Sequence, residues 1–527
     1  MKHLNTLRRI RIAFAVLLIV SVCLAFFDFR DWLPAVFKHT VTGIQFVPAW
    51  LSLTHGVLLG TACLVILAVS ACFGRVYCSM ICPLGILQDI ILRIANFLRR
   101  KKLFLGYKKP SNKLRYGILA AVIISVAAGW GGFVLAWLDP YSNFGRIAGS
   151  LFRPVVIFAN NSIADLCQYF QLASIPRTGI PWAGIGLFLP ILAIATLIVI
   201  LAAWRGRLYC NTICPVGSLL GLVSKFSLWK LAIDKSVCQK CGDCLRSCKA
   251  QCINLKAGDI DFSRCVACYN CVSVCDEQGI KYRFQNPFKS FRTKKADAND
   301  HPNLDRRNFI TATATGILAM SGGSLLASVA DPKTDTKHDF IHAVLPPGAH
   351  HRDRFLSHCT ACQLCISACP SHVIESSFLE YGAISGLMKP KLNFNKSFCN
   401  FNCTVCGDVC PDNALLPLPL TQKHVTRIGI AHTEHKECII YRDGTACGAC
   451  AEHCPTAALQ MKKTPEFGEP LPVVDEQYCI GCGACQYACP ALPKRAITIS
   501  GLKSHETAKI LVQEKVKAPA ANGDFPF

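Results

Sequence analysis

Residues 238–275 read CQKCGDCLRSCKAQCINLKAGDIDFSRCVACYNCVSVC, two C-x2-C-x2-C-x3-C runs in series. The first run is Cys238, Cys241, Cys244 and Cys248; the second is Cys265, Cys268, Cys271 and Cys275. Three closely spaced thiols and a fourth beyond them suit the corners of a [4Fe–4S] cubane. Where two such runs pair, the fourth cysteine of each crosses to the other cluster. The expected ligand sets are therefore Cys238, Cys241, Cys244 with Cys275, and Cys265, Cys268, Cys271 with Cys248. That exchange ties together a small α+β fold with little apolar core of its own. Lys249 and Asp276 stand where a proline commonly follows the last cysteine. Cys252 reads as a small buried thiol, or as a substitute ligand for Cys248.

Toward the C-terminus the pattern returns four times. The runs are Cys359, Cys362, Cys365, Cys369; Cys399, Cys403, Cys406, Cys410; Cys438, Cys447, Cys450, Cys454; and Cys479, Cys482, Cys485, Cys489. The second opens with C-x3-C and the third with C-x8-C, and all four end in Cys-Pro. They predict four more cubanes in two swapped pairs, six clusters in all, with the pairing left open by spacing. A disulfide scaffold scatters its cysteines at loop spacings, and zinc prefers two well-separated C-x2-C pairs. The 33 cysteines, mostly in serial runs, fit neither.

Toward the N-terminus the chain turns apolar. Uncharged stretches at 12–27, 50–73, 116–138 and 180–204 predict four membrane helices, with Pro190 a kink in the last. Basic residues crowd the loop 74–115, while 28–49 and 139–179 read as loops with few, balanced charges. By the positive-inside rule the N-terminus, the 74–115 loop and the 231–285 ferredoxin are cytoplasmic. The net charge of +23 is thereby assigned to topology, and nucleic-acid binding is excluded.

The membrane part is an internal repeat: GRVYCSMICPLGILQD at 74–89 and GRLYCNTICPVGSLLG at 206–221. In each, two cysteines are spaced i, i+4, on one helix face: Cys78 with Cys82, and Cys210 with Cys214. They are candidates for a redox dithiol or, if all four converge, for an extra metal or cluster.

Between the two ferredoxin regions lies LDRRNFITATATGILAMSGGSLLASVA at 304–330, where Arg306 and Arg307 precede Phe309 and Ile310. This is a twin-arginine export signal by pattern, with an anchor helix as the alternative. Clusters are assembled in the cytoplasm, so a domain carrying them must cross already folded.

The expected architecture is a polytopic α-helical membrane domain, four helices plus one anchor or signal helix. Bacterial-type 2×[4Fe–4S] ferredoxin domains of α+β class lie on both sides. Its parts are the membrane domain 1–230, the cytoplasmic two-cluster ferredoxin 231–285, a linker 286–303 and the signal or anchor 304–330. A linker 331–345, an exported four-cluster domain 346–505 and a disordered tail 506–527 follow. Residues 331–527 are expected in the periplasm and the rest in or inside the bacterial inner membrane.

Residues 1–285, with their helices, two C-x3-C-P motifs and two-cluster ferredoxin, resemble the NapH/MauN-type membrane ferredoxins, kin of the NosR-type and CcoG-type polyferredoxins. Residues 304–500 resemble the twin-arginine-exported NapG/MauM-type proteins. Fusion of the two in one chain departs from both patterns. The resemblance implies a quinol dehydrogenase module that passes electrons from menaquinol or ubiquinol to a separate periplasmic reductase or cytochrome, with a quinone bound on the way. Quinol oxidation needs a proton acceptor near the bilayer, where ionisable residues stand out. His55, Asp139 and Arg146 are the candidates. The NosR-like and CcoG-like kinship implies an alternative, a conduit carrying cytoplasmic electrons outward to mature or reactivate a metalloenzyme.

Overall fold

The computed structural model describes residues 2–54, 60–99, 105–128, 130–172, 175–179, 185–277, 279–285, 340–341, 343–381, 386–464 and 467–509. His55, Arg306, Arg307, the 286–303 linker and the 304–330 signal lie outside them. The chain divides into two units. Unit 1 holds 1–336, 348–391 and 405–417; unit 2 holds 337–347, 392–404 and 418–527. This division cuts across the segment 346–505.

Unit 1 begins with α1 (Lys2–Phe27), an apolar helix of 26 residues. Helices α2 (Ala35–Gly43), α3 (Phe46–Thr54) and α4 (Thr61–Phe73) follow. The single helix expected at 50–73 is thus two. Gly60, just before α4, lies against α3: a Cβ there would be 2.3 Å from the Leu53 amide nitrogen. The repeat supplies α5 (Tyr77–Met80) and α6 (Pro83–Leu98). Beyond them the expected 116–138 helix divides into α7 (Asn112–Ala127) and α8 (Gly131–Leu138).

The stretch 139–179, expected as a loop, is largely helical: α9 (Pro140–Ile147), a π-turn at Ala148–Phe152, and α10 (Arg153–Tyr169). Its Asn143, Arg146 and Arg153 are polar enough to resemble loop sequence, but all three are buried. Pro140 and Pro154 sit in first turns, where the missing N–H has no partner to lose. Helix α11 (Ile185–Arg205) contains Pro190 as expected. The second repeat gives α12 (Leu208–Thr212) and α13 (Pro215–Lys225). Among the described residues three helical stretches are long and apolar enough to cross a bilayer: Thr6–Phe27, Pro140–Tyr169 and Gly186–Arg205. Two of the four expected spans are among them. The third is the segment that read as a loop.

Two cysteine-rich segments pack on this bundle within unit 1. At 229–285 a strand Trp229–Ile233 pairs antiparallel with Ile280–Phe284, and Ile253–Asn254 with Asp259–Ile260. The segment 348–391 packs elsewhere on the bundle. Met388 and Ala361 join Ala136, Leu187 and Ile191 in one apolar cluster, and Arg153 donates to the Ser367 carbonyl at 2.8 Å. A Cβ on Gly132 would lie 2.4 Å from the Ser357 carbonyl, so only glycine allows that approach.

Unit 2 is a three-stranded sheet, with Ile497–Thr507 between Phe340–Ile341 and Thr426–Thr433, beside a hairpin of Leu459–Thr464 and Phe467–Val474. Two expected boundaries move. Phe340–Ile341, inside the predicted linker, is a strand, and the ordered sheet runs past 505 to Thr507.

Candidate iron–sulfur sites

The cysteine runs bend the backbone into the left-handed region at fixed places. The residues just before and just after the second cysteine have positive φ: Lys240 and Gly242, Ala267 and Tyr269, Ala361 and Gln363, Gly481 and Gly483. For a residue with a Cβ this costs roughly 1–2 kcal/mol. Such alternation turns successive N–H groups inward and makes an anion-binding nest, as at many Fe–S sites. The amide of Ala361 faces the Cys359 sulfur, Leu364 that of Cys362, and Ala484 that of Cys482. No such pair brackets Cys403 or Cys447, the runs with C-x3-C and C-x8-C openings.

Tertiary structure sorts the thiols into sets. Cys238, Cys241 and Cys275 surround Cys244. Cys248, Cys265, Cys268 and Cys271 line one cavity together with Cys252. The Cys252 sulfur lies 3.6 Å from that of Cys248, so the fifth thiol sits beside the expected fourth ligand. Also in unit 1, Cys359, Cys362 and Cys410 surround Cys365. Within unit 2 a second cavity is lined by Cys438, Cys447, Cys450 and Cys489. Cys454 joins Cys479, Cys482 and Cys485. Run three thus pairs with run four, a choice the spacing left open. Of the other thiols, Cys369 and Cys406 lie in unit 1, Cys399 and Cys403 in unit 2.

These donor sets fit an iron–sulfur cluster. Burial pushes the thiol of Cys244 up to about 11 and those of Cys450 and Cys482 to about 12. As bare thiols they stay protonated at neutral pH; an iron cation replaces the proton on binding. Among the described residues no three His, Cys, Asp or Glu side chains close on a single point. A cubane is held at its corners and takes its thiolates from further apart than one ion does.

Lys249 explains the missing proline. Its ammonium is buried and pairs with Asp89 on α6, which also holds Arg207 through two bonds of 2.8 and 2.7 Å. A proline there would leave the 231–285 fold without this anchor on the bundle.

The four repeat cysteines come together. Cys78, Cys82, Cys210 and Cys214 are all buried and lie within electrostatic reach of one another. Cys82 and Cys214 are the N-caps of α6 and α13. The other quinol-site candidates are also buried. The Asp139 carboxylate caps α9 by accepting from the Ser142 amide and hydroxyl, each at 2.7 Å. Arg146 donates to Asn143 at 2.6 Å and stacks over Trp137.

A chain of contacts joins the two ferredoxin segments of unit 1. On one side Arg75 donates to the Ser263 carbonyl, two residues before Cys265. Tyr209, next to Cys210, meets Asn143 at 3.2 Å. At Gly145 a Cβ would lie 2.4 Å from the Cys362 carbonyl. Sequence reading missed Arg75, Asn143, Tyr209 and Asp89; only the repeated G-R-x-Y-C signalled two of them.

Thiol sets of this kind, three of them in the unit that holds the bundle of long apolar helices, define an iron–sulfur electron-transfer protein, consistent with membrane residence. The family described as "4Fe-4S binding domain" matches twice, at 54–103 and 186–233, once over each repeat. The "4Fe-4S dicluster domain" family matches 445–492. Relatives include the ferredoxin-type protein NapF of Escherichia coli, 29% identical over 31% of this chain and 88% of its own length. The methylamine utilization ferredoxin-type protein MauM of Methylorubrum extorquens is 30% identical over 35% of this chain and 84% of its own. The ferredoxin-type protein NapH of Haemophilus influenzae is 27% identical over 43% and 67%. No solved structure matches. The chain belongs to the NapH/MauM-type polyferredoxins.

Proposed function

We propose that this protein takes electrons from membrane quinol and passes them singly through [4Fe–4S] clusters to a reductase or cytochrome on the periplasmic side. The observation that carries the reading is the exchange of fourth cysteines. Each set joins three thiols of one run to the last of another, as in Cys438, Cys447, Cys450 and Cys489. The same exchange assigns Cys238, Cys241, Cys244, Cys275; Cys265, Cys268, Cys271, Cys248; Cys359, Cys362, Cys365, Cys410; and Cys479, Cys482, Cys485, Cys454. Each bound cluster supplies one reversible electron. The protein's own groups turn amides toward the sulfurs, exclude water by burial and fix the spacing between sites. They make no covalent bond to substrate.

The buried contacts from Ser263 to Cys362 favour a second reading, in which electrons pass outward from a cytoplasmic donor with no quinol. Purified protein in detergent separates the two. Bleaching of the cluster absorbance by a menaquinol analogue supports quinol oxidation. Bleaching by a reduced cytoplasmic ferredoxin or flavoprotein alone supports the conduit and ends the quinol reading.

A further inference from the structure

We infer that Cys78, Cys82, Cys210 and Cys214 together hold one more iron–sulfur cluster, inside the helix bundle and shared between the two repeats. This rests on the electron-transfer reading above and adds to it a relay site between the ferredoxin segments of unit 1.

The repeats face each other and exchange hydrogen bonds. Arg75 Nη2 donates to the Cys210 carbonyl at 3.1 Å, and Arg207 Nη1 donates to the Cys78 carbonyl at 2.7 Å. Gly85 and Gly217 occupy equivalent places in α6 and α13. A Cβ on Gly85 would lie 2.4 Å from the Cys78 carbonyl, and one on Gly217 would lie 2.2 Å from the Cys210 carbonyl. The Gly217 amide donates to the Cys214 sulfur at 3.3 Å. Each half thus presents one thiol from a short helix and one from the next helix's N-cap, around a common axis.

Charge points to what fills the site. Arg207 is answered by the Asp89 carboxylate. Arg75 is fully buried, and its hydrogen-bond partners are Asn211 at 2.8 Å, the carbonyls of Ser263 and Cys210, and the Cys78 sulfur at 3.7 Å. No carboxylate is among them. A buried guanidinium is costly unless an anion faces it. Four thiolates on an iron–sulfide core carry net negative charge, whereas four neutral thiols carry none.

Position gives the site its use. Arg75 contacts the loop of Cys265, and Asn211 donates to the Ala250 carbonyl, two residues after Cys248. On the other side Tyr209 leads to Asn143 and Arg146. Arg11 of α1 lies by Asp89 and within electrostatic reach of Cys268, while Phe26 packs where Gly145 meets the Cys362 carbonyl. Those levels are about 22 Å apart along α1, at 1.5 Å per residue. Tunnelling falls exponentially with distance, so an intermediate centre replaces one long step by two short ones. One electron leaves the reduced site at Cys248, Cys265, Cys268 and Cys271 and enters this one. The same electron leaves it for the site at Cys359, Cys362, Cys365 and Cys410, with no bond or proton changing hands.

The test uses the full chain, purified without oxygen in detergent. Iron, acid-labile sulfide and the EPR spectrum of the reduced protein are compared between wild type, Cys78→Ser/Cys214→Ser and a Cys63→Ser control. The double variant is expected to lose about four iron and four sulfide if the centre is a cubane, or about two and two if it is a two-iron cluster. One EPR signal disappears, the ferredoxin signals stay, and the control matches wild type. A folded double variant with wild-type iron, sulfide and spectrum overturns the inference, as does a disulfide among these four cysteines in the wild type. If the double variant does not fold, Cys214→Ser alone decides: one altered signal supports the site, an unchanged spectrum overturns it. Wild-type protein without any iron would instead overturn the electron-transfer reading.

Discussion

The repeats 74–89 and 206–221 share glycine, arginine, tyrosine, both cysteines and the proline, yet they treat their surroundings differently. Gly74 and Gly206 both have positive φ, Cys82 and Cys214 both cap a helix, and each arginine crosses to the other half. The last position breaks the match. Asp89 in the first repeat binds Arg207 and Lys249, whereas Gly221 in the second clears a path for Arg115. Arg115 then reaches the Ser263 carbonyl at 2.8 Å and the Gly217 carbonyl at 3.2 Å. The shared residues build the centre of the bundle; the divergent ones seat the 231–285 ferredoxin on it, by an ion network on one side and by guanidinium–carbonyl bonds on the other.

The comparison breaks most visibly at Asp89. Asp89→Ala leaves Arg207 and Lys249 buried without a counter-charge and should destabilise the fold by about 3–5 kcal/mol. Chemical unfolding monitored by cluster bleaching measures it. A loss below 1 kcal/mol would mean that the network behaves as a surface ion pair and does not seat the ferredoxin.

Gly221→Ala tests the other side. The new Cβ would lie 1.7 Å from Arg115 Nη2, so the guanidinium must withdraw from Ser263. Hydrogen bonds to charged groups contribute about 1.5–3 kcal/mol, which sets the expected loss. Limited proteolysis of 231–285 should quicken in parallel.

A symmetric pair of substitutions sharpens what the repeats share. Gly85→Ala and Gly217→Ala each press a Cβ on a cysteine carbonyl, and overpacking of this kind costs about 1–3 kcal/mol. The two losses should agree within about 0.5 kcal/mol, the usual scatter between independent sites. Tolerance at one position and collapse at the other would disprove the equivalence of the halves.

The smallest effect lies in the nests. Lys240 is exposed and has a φ of 56°, so Lys240→Gly relieves backbone strain and should stabilise by up to about 1 kcal/mol. Lys240→Val should destabilise by a similar amount. Equal melting curves for the two variants would show that this bend carries no strain.

Some of this was legible in the chain and some was not, for physical reasons. The cysteine runs are local: in four of the six, three thiols fall within seven residues, so covalent spacing alone keeps them near one another. Uninterrupted apolar sequence likewise predicted α1 and α11. The 139–169 helices were illegible because Asn143, Arg146 and Arg153 look like loop residues until Ser367, Met388 and their neighbours close over them, some 200 residues later in the chain. The broken helices at 50–73 and 116–138 escaped for a related reason. Periodicity reports apolar helix on either side of a break but not the break, and the close approaches of Gly60 to Leu53 and of Gly131 to Val126 are known only from the packing.

By itself the sequence determined the candidate chemistry: which thiols suit iron–sulfur clusters, in what short-range groups, and which stretches avoid water. Those depend on covalent spacing and on transfer free energy, both readable residue by residue. The folded chain alone decided which of the four C-terminal runs exchange a cysteine, why a lysine replaces proline at 249, and that four cysteines from two repeats face one another. Each of these is a meeting of groups far apart in the chain. Only the packing that pays for their burial brings them into reach.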